Sequence, residues 1–311
     1  MRPIGMCTIT PAEGGQFGAS TSEVEFWVGN GIGRADLSTG AVSEVARVPE
    51  GGVVVAYSHA SGEIAYRVPT HDDGFVMHLY RPGGQDRLLY TQDPIGAHGG
   101  PPCGPYSQVQ FSHDGSELLD YTLFRPTSGP ANLLVFKSDG SLLFSQAGGG
   151  YGVWGLWSPG SSLLYFPQVN NSAPPVANIE SLDATGHASA VATAIKLDCW
   201  PVIAPDGNDI VYEVYDSSAP YLPHRWRLDL TTHAATKLGA SVVSQPVFVA
   251  PSVVWVNENQ PCDCGPGGPS APDGVVLAHD LTTGLETHVD LRVSGQTAAA
   301  LIYSIIDVRL S

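Results

Sequence analysis

The chain has 311 residues, with 14 Lys and Arg against 30 Asp and Glu, for a net charge of −16 at pH 7. That balance leaves no basic stripe, which excludes nucleic acid and anionic membrane surfaces as partners. No stretch approaches the roughly 18 consecutive apolar residues of a membrane span, and five cysteines are too few for a disulfide framework.

Residues 1–14 lack the charged-then-apolar pattern of a signal peptide. The chain is therefore expected to be soluble, cytoplasmic or exported with its leader removed. The glycine-rich runs GQFGAS (15–20) and GNGIG (29–33) are read as loops. No helix follows them, so they make no anion cradle, and neither Gly-x-Ser-x-Gly nor Gly-x-x-x-x-Gly-Lys occurs.

From residue 57 onward a signature recurs: an aromatic or aliphatic residue, a small residue, a turn and then a strand. It reads Tyr57-Ser58-His59-Ala60-Ser61-Gly62 before EIAYRV, Phe111-Ser112-His113-Asp114-Gly115 before ELLDYT, and Trp157-Ser158-Pro159-Gly160 before SLLYFP. It continues as Ile203-Ala204-Pro205-Asp206-Gly207 before DIVYEV, Val249-Ala250-Pro251 before SVVWVN, and Tyr303-Ser304 before IIDVRL. The lead residues are separated by 54, 46, 46, 46 and 54 positions. A second signature, a tight turn between two strands, falls at 34–45, 80–90, 136–145, 181–191, 228–238 and 279–289. Asp or Ser followed closely by Gly supplies the positive backbone angle that most of these turns need.

A period in the forties without helical periodicity predicts an all-β chain, a six-bladed β-propeller of four-stranded blades. Naming the strands of a blade A to D from the axis outward, the first signature is the A–B turn and the second the C–D turn. The blades are expected at 23–48 with 298–304, then 52–93, 106–147, 152–196, 198–242 and 244–292, forming one domain over 1–311. Residues 298–304 would supply the missing A strand of the first blade and so close the ring.

The A–B turns resemble the TolB-like propeller repeats, with Ala204-Pro205-Asp206-Gly207 and Ser158-Pro159-Gly160 matching best and His59 and His113 standing where that family usually has Pro. The resemblance implies a fold and leaves function to the site. Nothing matches the metal-binding residues of gluconolactonase-type propellers position by position.

A–B and C–D turns share one face of a propeller, while B–C loops and D–A connections share the other. The second set is long and irregular here, including 70–74, 94–105, 125–131, 170–175, 217–224 and 259–274. Long loops on a rigid scaffold are where binding and catalysis concentrate.

His71, His98 and His224 fall on that face, with Asp72, Asp73 and Asp198 the nearest carboxylates. Imidazole with carboxylate suits a zinc- or manganese-type ion, so these six residues are the expected metal set, with His98, Asp198 and His71 in the catalytic role. Tyr106, Tyr151, Trp154 and Trp200 would contact the apolar part of a small-molecule substrate. The two Trp residues occupy equivalent repeat positions and are equally well explained by packing between blades.

Cys262 and Cys264 would close a strained ring if bridged to each other, so either one is expected to reach Cys103 or Cys199 or to stay free. Two functions follow. One is a metal-assisted hydrolase of a small ester, lactone or phosphate ester. The other is a non-catalytic TolB-like module binding a ligand, or a protein or peptide partner, on the loop face. The chain is expected to be a monomer.

Overall fold

A computed structural model describes residues 13–17, 23–36, 39–70, 74–92, 107–122, 133–146, 155–170, 176–195, 199–215, 223–240, 247–250, 253–257 and 276–289. They form six four-stranded antiparallel sheets. The first holds β1 (Glu13–Phe17), β2 (Glu23–Val28), β3 (Gly31–Asp36) and β4 (Val42–Arg47). The second holds β5 (Val53–Tyr57), β6 (Ile64–Pro69), β7 (Phe75–Tyr80) and β8 (Asp86–Gln92). The third holds β9 (Ser107–Phe111), β10 (Glu117–Thr122), β11 (Leu133–Lys137) and β12 (Leu142–Gln146). The fourth comprises β13 (Leu156–Trp157), β14 (Leu163–Asn170), β15 (Val176–Asp183) and β16 (Ala188–Ile195). The fifth comprises β17 (Cys199–Ile203), β18 (Asp209–Tyr215), β19 (Pro223–Asp229) and β20 (Ala235–Ala240). The sixth comprises β21 (Val247–Ala250), β22 (Val253–Asn257), β23 (Val276–Asp280) and β24 (Glu286–Val289).

Each sheet is a meander of consecutive strands. The first strands adjoin from sheet to sheet, β1 beside β5, β5 beside β9, β13 beside β17 and β17 beside β21. Between the third and fourth sheets, Gln108 takes the place of a ladder. Its Nε2 donates to the Gly155 carbonyl at 2.9 Å, and its Oε1 accepts from the Gly155 N–H at 2.7 Å.

The first sheet corrects the expected closure. Its inner place, assigned to 298–304, is taken by Glu13–Phe17, which pairs with Val24–Val28 from Phe17 to Glu13. Residues 298–304 lie outside the described residues. The physical reason is chain entropy, because a five-residue connection closes far more cheaply than one spanning the whole chain. The run GQFGAS is thus partly strand, and Gly31, Ile32 and Gly33 of GNGIG lie in β3.

Between sheets, the alternation of side chains decides the core. On β10, Leu118 packs toward the second sheet with Ala65, Leu79 and Phe136, while Leu119 packs toward the fourth with Trp157, Leu164 and Phe166. Successive residues point to opposite faces of a strand, and here both faces are covered. Hence β11 reads as an unbroken apolar run, Leu133-Leu134-Val135-Phe136, buried throughout.

The outer strands share a further device. In each of the first five sheets the fourth strand carries a register irregularity, and an aliphatic residue stands at it: Val45, Leu89, Leu143, Val191 and Leu238. Each packs into the core shared with the following sheet. A bulge re-aims a side chain and twists the edge. The same residue therefore locks one sheet to the next, and the bulge breaks the outer edge into shorter stretches.

The A–B turns nest into one another. The Ser161 hydroxyl accepts the Asp114 N–H at 3.0 Å, and Gly115 sits against Ser58 and Ser61. In the C–D turns, glycines adopt positive φ, as at Gly40 (72°), Gly140 (84°), Gly186 (85°) and Gly284 (71°). The fifth sheet has His233 there instead, at φ 59°. A left-handed conformation costs a side-chain-bearing residue roughly 1–2 kcal/mol. His233→Gly is therefore expected to stabilise the protein by about 1 kcal/mol in urea unfolding. An unchanged or lower midpoint would contradict this.

The same turns hold their aspartates in the charged form. Asp183 accepts from the Thr185 hydroxyl and from the His187 and Thr185 N–H groups. Asp229 accepts from the Thr232 and Thr231 N–H groups. These hydrogen bonds hold both carboxyls below the usual range. A depressed folded-state value contributes stability that is present above the unfolded value, about 3.9, and is lost as pH falls through the folded one. The melting temperature is expected to be level near neutrality and to fall below about pH 4. A midpoint unchanged to about pH 3 would contradict this.

Candidate functional site

In a four-stranded meander, the turns joining first to second and third to fourth strands lie at one end. The remaining connections lie at the other. Among the described residues the turn end is uniform, built from the short turns described above. The loop end takes the connections after β2, β4, β6, β8, β10, β12, β14, β16, β18, β20 and β22. Most of their residues, including His71, Asp72, Asp73, His98, Tyr106, Tyr151, Trp154 and Asp198, lie outside the described residues, as do Cys103, Cys262 and Cys264. Two expected site residues are placed through their backbone. Trp200 stands on β17, as its repeat position requires. His224, expected at the end of a loop, is instead the second residue of β19, paired with Val214 on one side and Ala240 on the other. Its apparent loop context came from the Pro-rich run before it.

Beneath the loop end, a buried polar cluster joins the second and third sheets. Arg67, Tyr90 and Asp120 each stand two residues before their strand ends, at Pro69, Gln92 and Thr122. These three strands run the same way, so the residues share one level just inside the loop face. The Asp120 side chain is 1% exposed and that of Arg67 is 12%. Arg67 Nη2 donates to Asp120 Oδ1 at 3.2 Å, and the Tyr90 hydroxyl donates to Oδ2 at 2.5 Å. The guanidinium lies over the Phe75 ring, 4.3 Å from its centroid, and Tyr90 stacks on Phe136.

Burial pushes the Asp120 carboxyl up, against the pull of Arg67 and Tyr90. Burial, then the Asp120 charge, pushes the Tyr90 phenol well above its ordinary value. Charge-assisted hydrogen bonds on both oxygens are what make so buried a carboxylate tolerable.

Three other ionic groups bind sheets at or near the turn end. Glu25, fully buried, accepts from Arg34 Nη2 at 2.6 Å and from His59 Nδ1 of the second sheet at 3.0 Å. Asp209 receives a bidentate pair from Arg227 at 2.6 and 3.0 Å, and the same guanidinium reaches the Leu281 carbonyl of the sixth sheet. Arg87 reaches both Glu63 and the Ser138 carbonyl of the third sheet. Within the second sheet, Asp86 accepts from Tyr66 at 2.7 Å and from His78 Nδ1 at 3.0 Å. Because a carboxylate only accepts, Nδ1 carries the proton in both histidine contacts. Among the described residues no three His, Cys, Asp or Glu side chains gather as a metal site, and no helix is long and apolar enough to cross a membrane.

Six meandering four-stranded sheets, laid side by side through their first strands, have the architecture of a β-propeller, and solved structures agree. An oligogalacturonate lyase in complex with manganese aligns at TM-score 0.58 and 14% identity, covering 79% of this chain and 73% of that one. The β-propeller domain of the Trilobed protease from Pyrococcus furiosus, described as having an open velcro topology, aligns at 0.55 and 10% identity, covering 91% and 84%. TolB from Acinetobacter baumannii aligns at 0.48 and 12%, covering 86% of this chain and 63% of that one. No family model and no curated protein matches the chain. At these identities the likeness to the lyase and to the protease domain establishes the propeller fold, which is what the TolB-like turns implied.

Arg67, Tyr90 and Asp120 are absent from the expected site residues. Their signal in the sequence is a charge inside an apolar strand, as in Leu118-Leu119-Asp120-Tyr121 and Ala65-Tyr66-Arg67-Val68. A charge at such a position requires a partner.

Proposed function

We propose that the chain is a six-bladed propeller, each blade built from consecutive residues, that handles a small molecule at its loop face. On this reading a divalent ion is held by a subset of His71, Asp72, Asp73, His98, Asp198 and His224, and the reaction is hydrolysis of a small ester, lactone or phosphate ester. The observation that carries the reading is the contrast between the two ends. One is spent on uniform, internally hydrogen-bonded turns. The other gathers the long connections, and the buried Arg67–Asp120–Tyr90 cluster ties together β6, β8 and β10, the strands from which three of those loops leave. When bound, a zinc- or manganese-type ion polarises a carbonyl or phosphoryl centre and lowers the pKa of water. His98 and Asp198 are the core of the ligand set, while Trp154, Trp200, Tyr106 and Tyr151 would bind the apolar part of the substrate.

A propeller of like fold occurs in complex with manganese, which favours a divalent ion over other cofactors. The substrate of that protein does not carry over. Oligogalacturonates are polyanions, and a chain of net charge −16 repels them, so neutral esters and lactones are the better class.

The test is metal analysis of the purified protein, then assays on aryl esters, lactones and phosphotriesters before and after chelation and readdition of zinc or manganese. Activity should vanish on chelation and return with metal, and His98→Ala and Asp198→Ala should abolish it with the fold intact. Activity indifferent to chelation would end the metal reading. A metal-free protein that turns over none of these substrates would favour the second reading, a binding module for a ligand or a peptide. One observation favours that reading already: at the loop end, the buried ionisable groups Arg67, Tyr90 and Asp120 are neutralised by one another rather than poised for proton transfer.

A further inference from the structure

Charge is distributed unevenly around the rim of the molecule. No Asp, Glu, Lys or Arg occurs between Asp139 and Glu180, nor between Asp183 and Lys196. The strands of the fourth sheet therefore carry only Glu180 and Asp183 as charged residues. The Asp183 carboxylate is occupied by its own turn, and burial pushes the Glu180 carboxyl up.

The outer strands show the same contrast. Charges stand on β4 (Glu44, Arg47), β8 (Asp86, Arg87), β20 (Lys237) and β24 (Glu286), but none on β12 or β16. The eight-residue β16 is the longest outer strand described, reading Ala-Ser-Ala-Val-Ala-Thr-Ala-Ile. Ser189, Ala190 and Thr193 are exposed along it, and on the neighbouring sheet Leu142 is 54% exposed.

We propose that β16 is a self-association surface, where the outer edge of the fourth sheet pairs with the same edge of a second copy about a two-fold axis. Two molecules of charge −16 repel one another over most of their surfaces. The fourth-sheet edge is where that repulsion is least, and it lacks the charges that keep edge strands apart. An isologous contact needs one self-complementary patch, and two antiparallel copies of a small, uncharged strand provide it. Two register shifts, one at Val191, which packs into the core shared with the fifth sheet, and one between Ala192 and Ile195, divide the edge into short stretches. The contact is therefore weak and concentration-dependent, and it modifies the monomer expected from the sequence.

The test is sedimentation of the full chain over a concentration series, in low salt and in about 1 M NaCl, where the Debye length falls to about 3 Å. Dimer should increase with concentration and, because salt screens the repulsion, with ionic strength. Thr193→Glu puts like charges across the two-fold and should raise the apparent dissociation constant about tenfold or more. Ala190→Lys should do the same, and its charge lies opposite Glu180 within the sheet, which favours retention of the fold. Circular dichroism of both variants should match the parent. A chain that stays monomeric at concentrations on the order of 100 µM in high salt overturns the proposal, as do two folded variants that associate like the parent.

Discussion

Asp120→Ala is expected to destabilise the protein by about 3–5 kcal/mol, the usual cost of removing one partner of a buried ion pair. The truncation takes from the Arg67 guanidinium, 12% exposed, its hydrogen bond and ion pair with Asp120. It also leaves the Tyr90 hydroxyl without its acceptor. The cost is desolvation of the groups left behind, so taking both charges away should be gentler. Asp120→Leu with Arg67→Met is expected to recover much of the loss, since apolar groups of similar volume often replace a buried pair at little cost. Chemical denaturation of the two variants and the parent decides the matter. A single variant within about 1 kcal/mol of the parent would mean that the cluster is better solvated than its burial implies.

Gly115→Ala is the second large effect, and Gly62→Ala is its control. Both glycines lie in A–B turns of equal length at nearly the same positive φ, 72° and 70°, with Gly62 one residue later in its turn than Gly115. A methyl group on Gly62 meets nothing within 4 Å. One on Gly115 would lie 2.4 Å from Ser58 Oγ, 2.7 Å from Ser61 Oγ and 2.9 Å from Ser61 Cβ. The control therefore measures the backbone cost alone, roughly 1–2 kcal/mol. Gly115→Ala adds the cost of prising one turn away from the next, about 1–3 kcal/mol more. Equal losses in thermal or urea unfolding would show that the nested turns yield without resistance.

These two variants probe different joints between the same two sheets. Asp120 ties them just inside the loop face, and Gly115 seats one turn on the other at the opposite end. Between the two lies the apolar packing of Leu79, Phe111, Leu118 and Phe136. The connections after β6 and β8, which carry His71, Asp72, Asp73 and His98 of the proposed site, thus leave a frame fixed at both ends and in the middle.

The amino-acid sequence by itself determined what is local. Tyr57-Ser58 through Gly62 and Ile203-Ala204 through Gly207 announce their turns, because a small residue, a capping side chain and a glycine act within six residues of one another. The spacing of those turns carried the repeat and hence the propeller fold. The first copy escaped notice because Phe17 leads into Gly18-Ala19-Ser20-Thr21, a run with neither Pro nor Asp-Gly to mark it. The surplus signature at Tyr303 then drew the closing strand to the wrong end of the chain. Only the tertiary structure decided which strand fills the inner place of the first sheet, where each bulge aims its aliphatic residue, and which buried charges meet. Arg67 and Asp120 lie 53 positions apart, and their meeting depends on the register of one sheet against the next. That register is set by packing over whole faces, and no short window of sequence contains it.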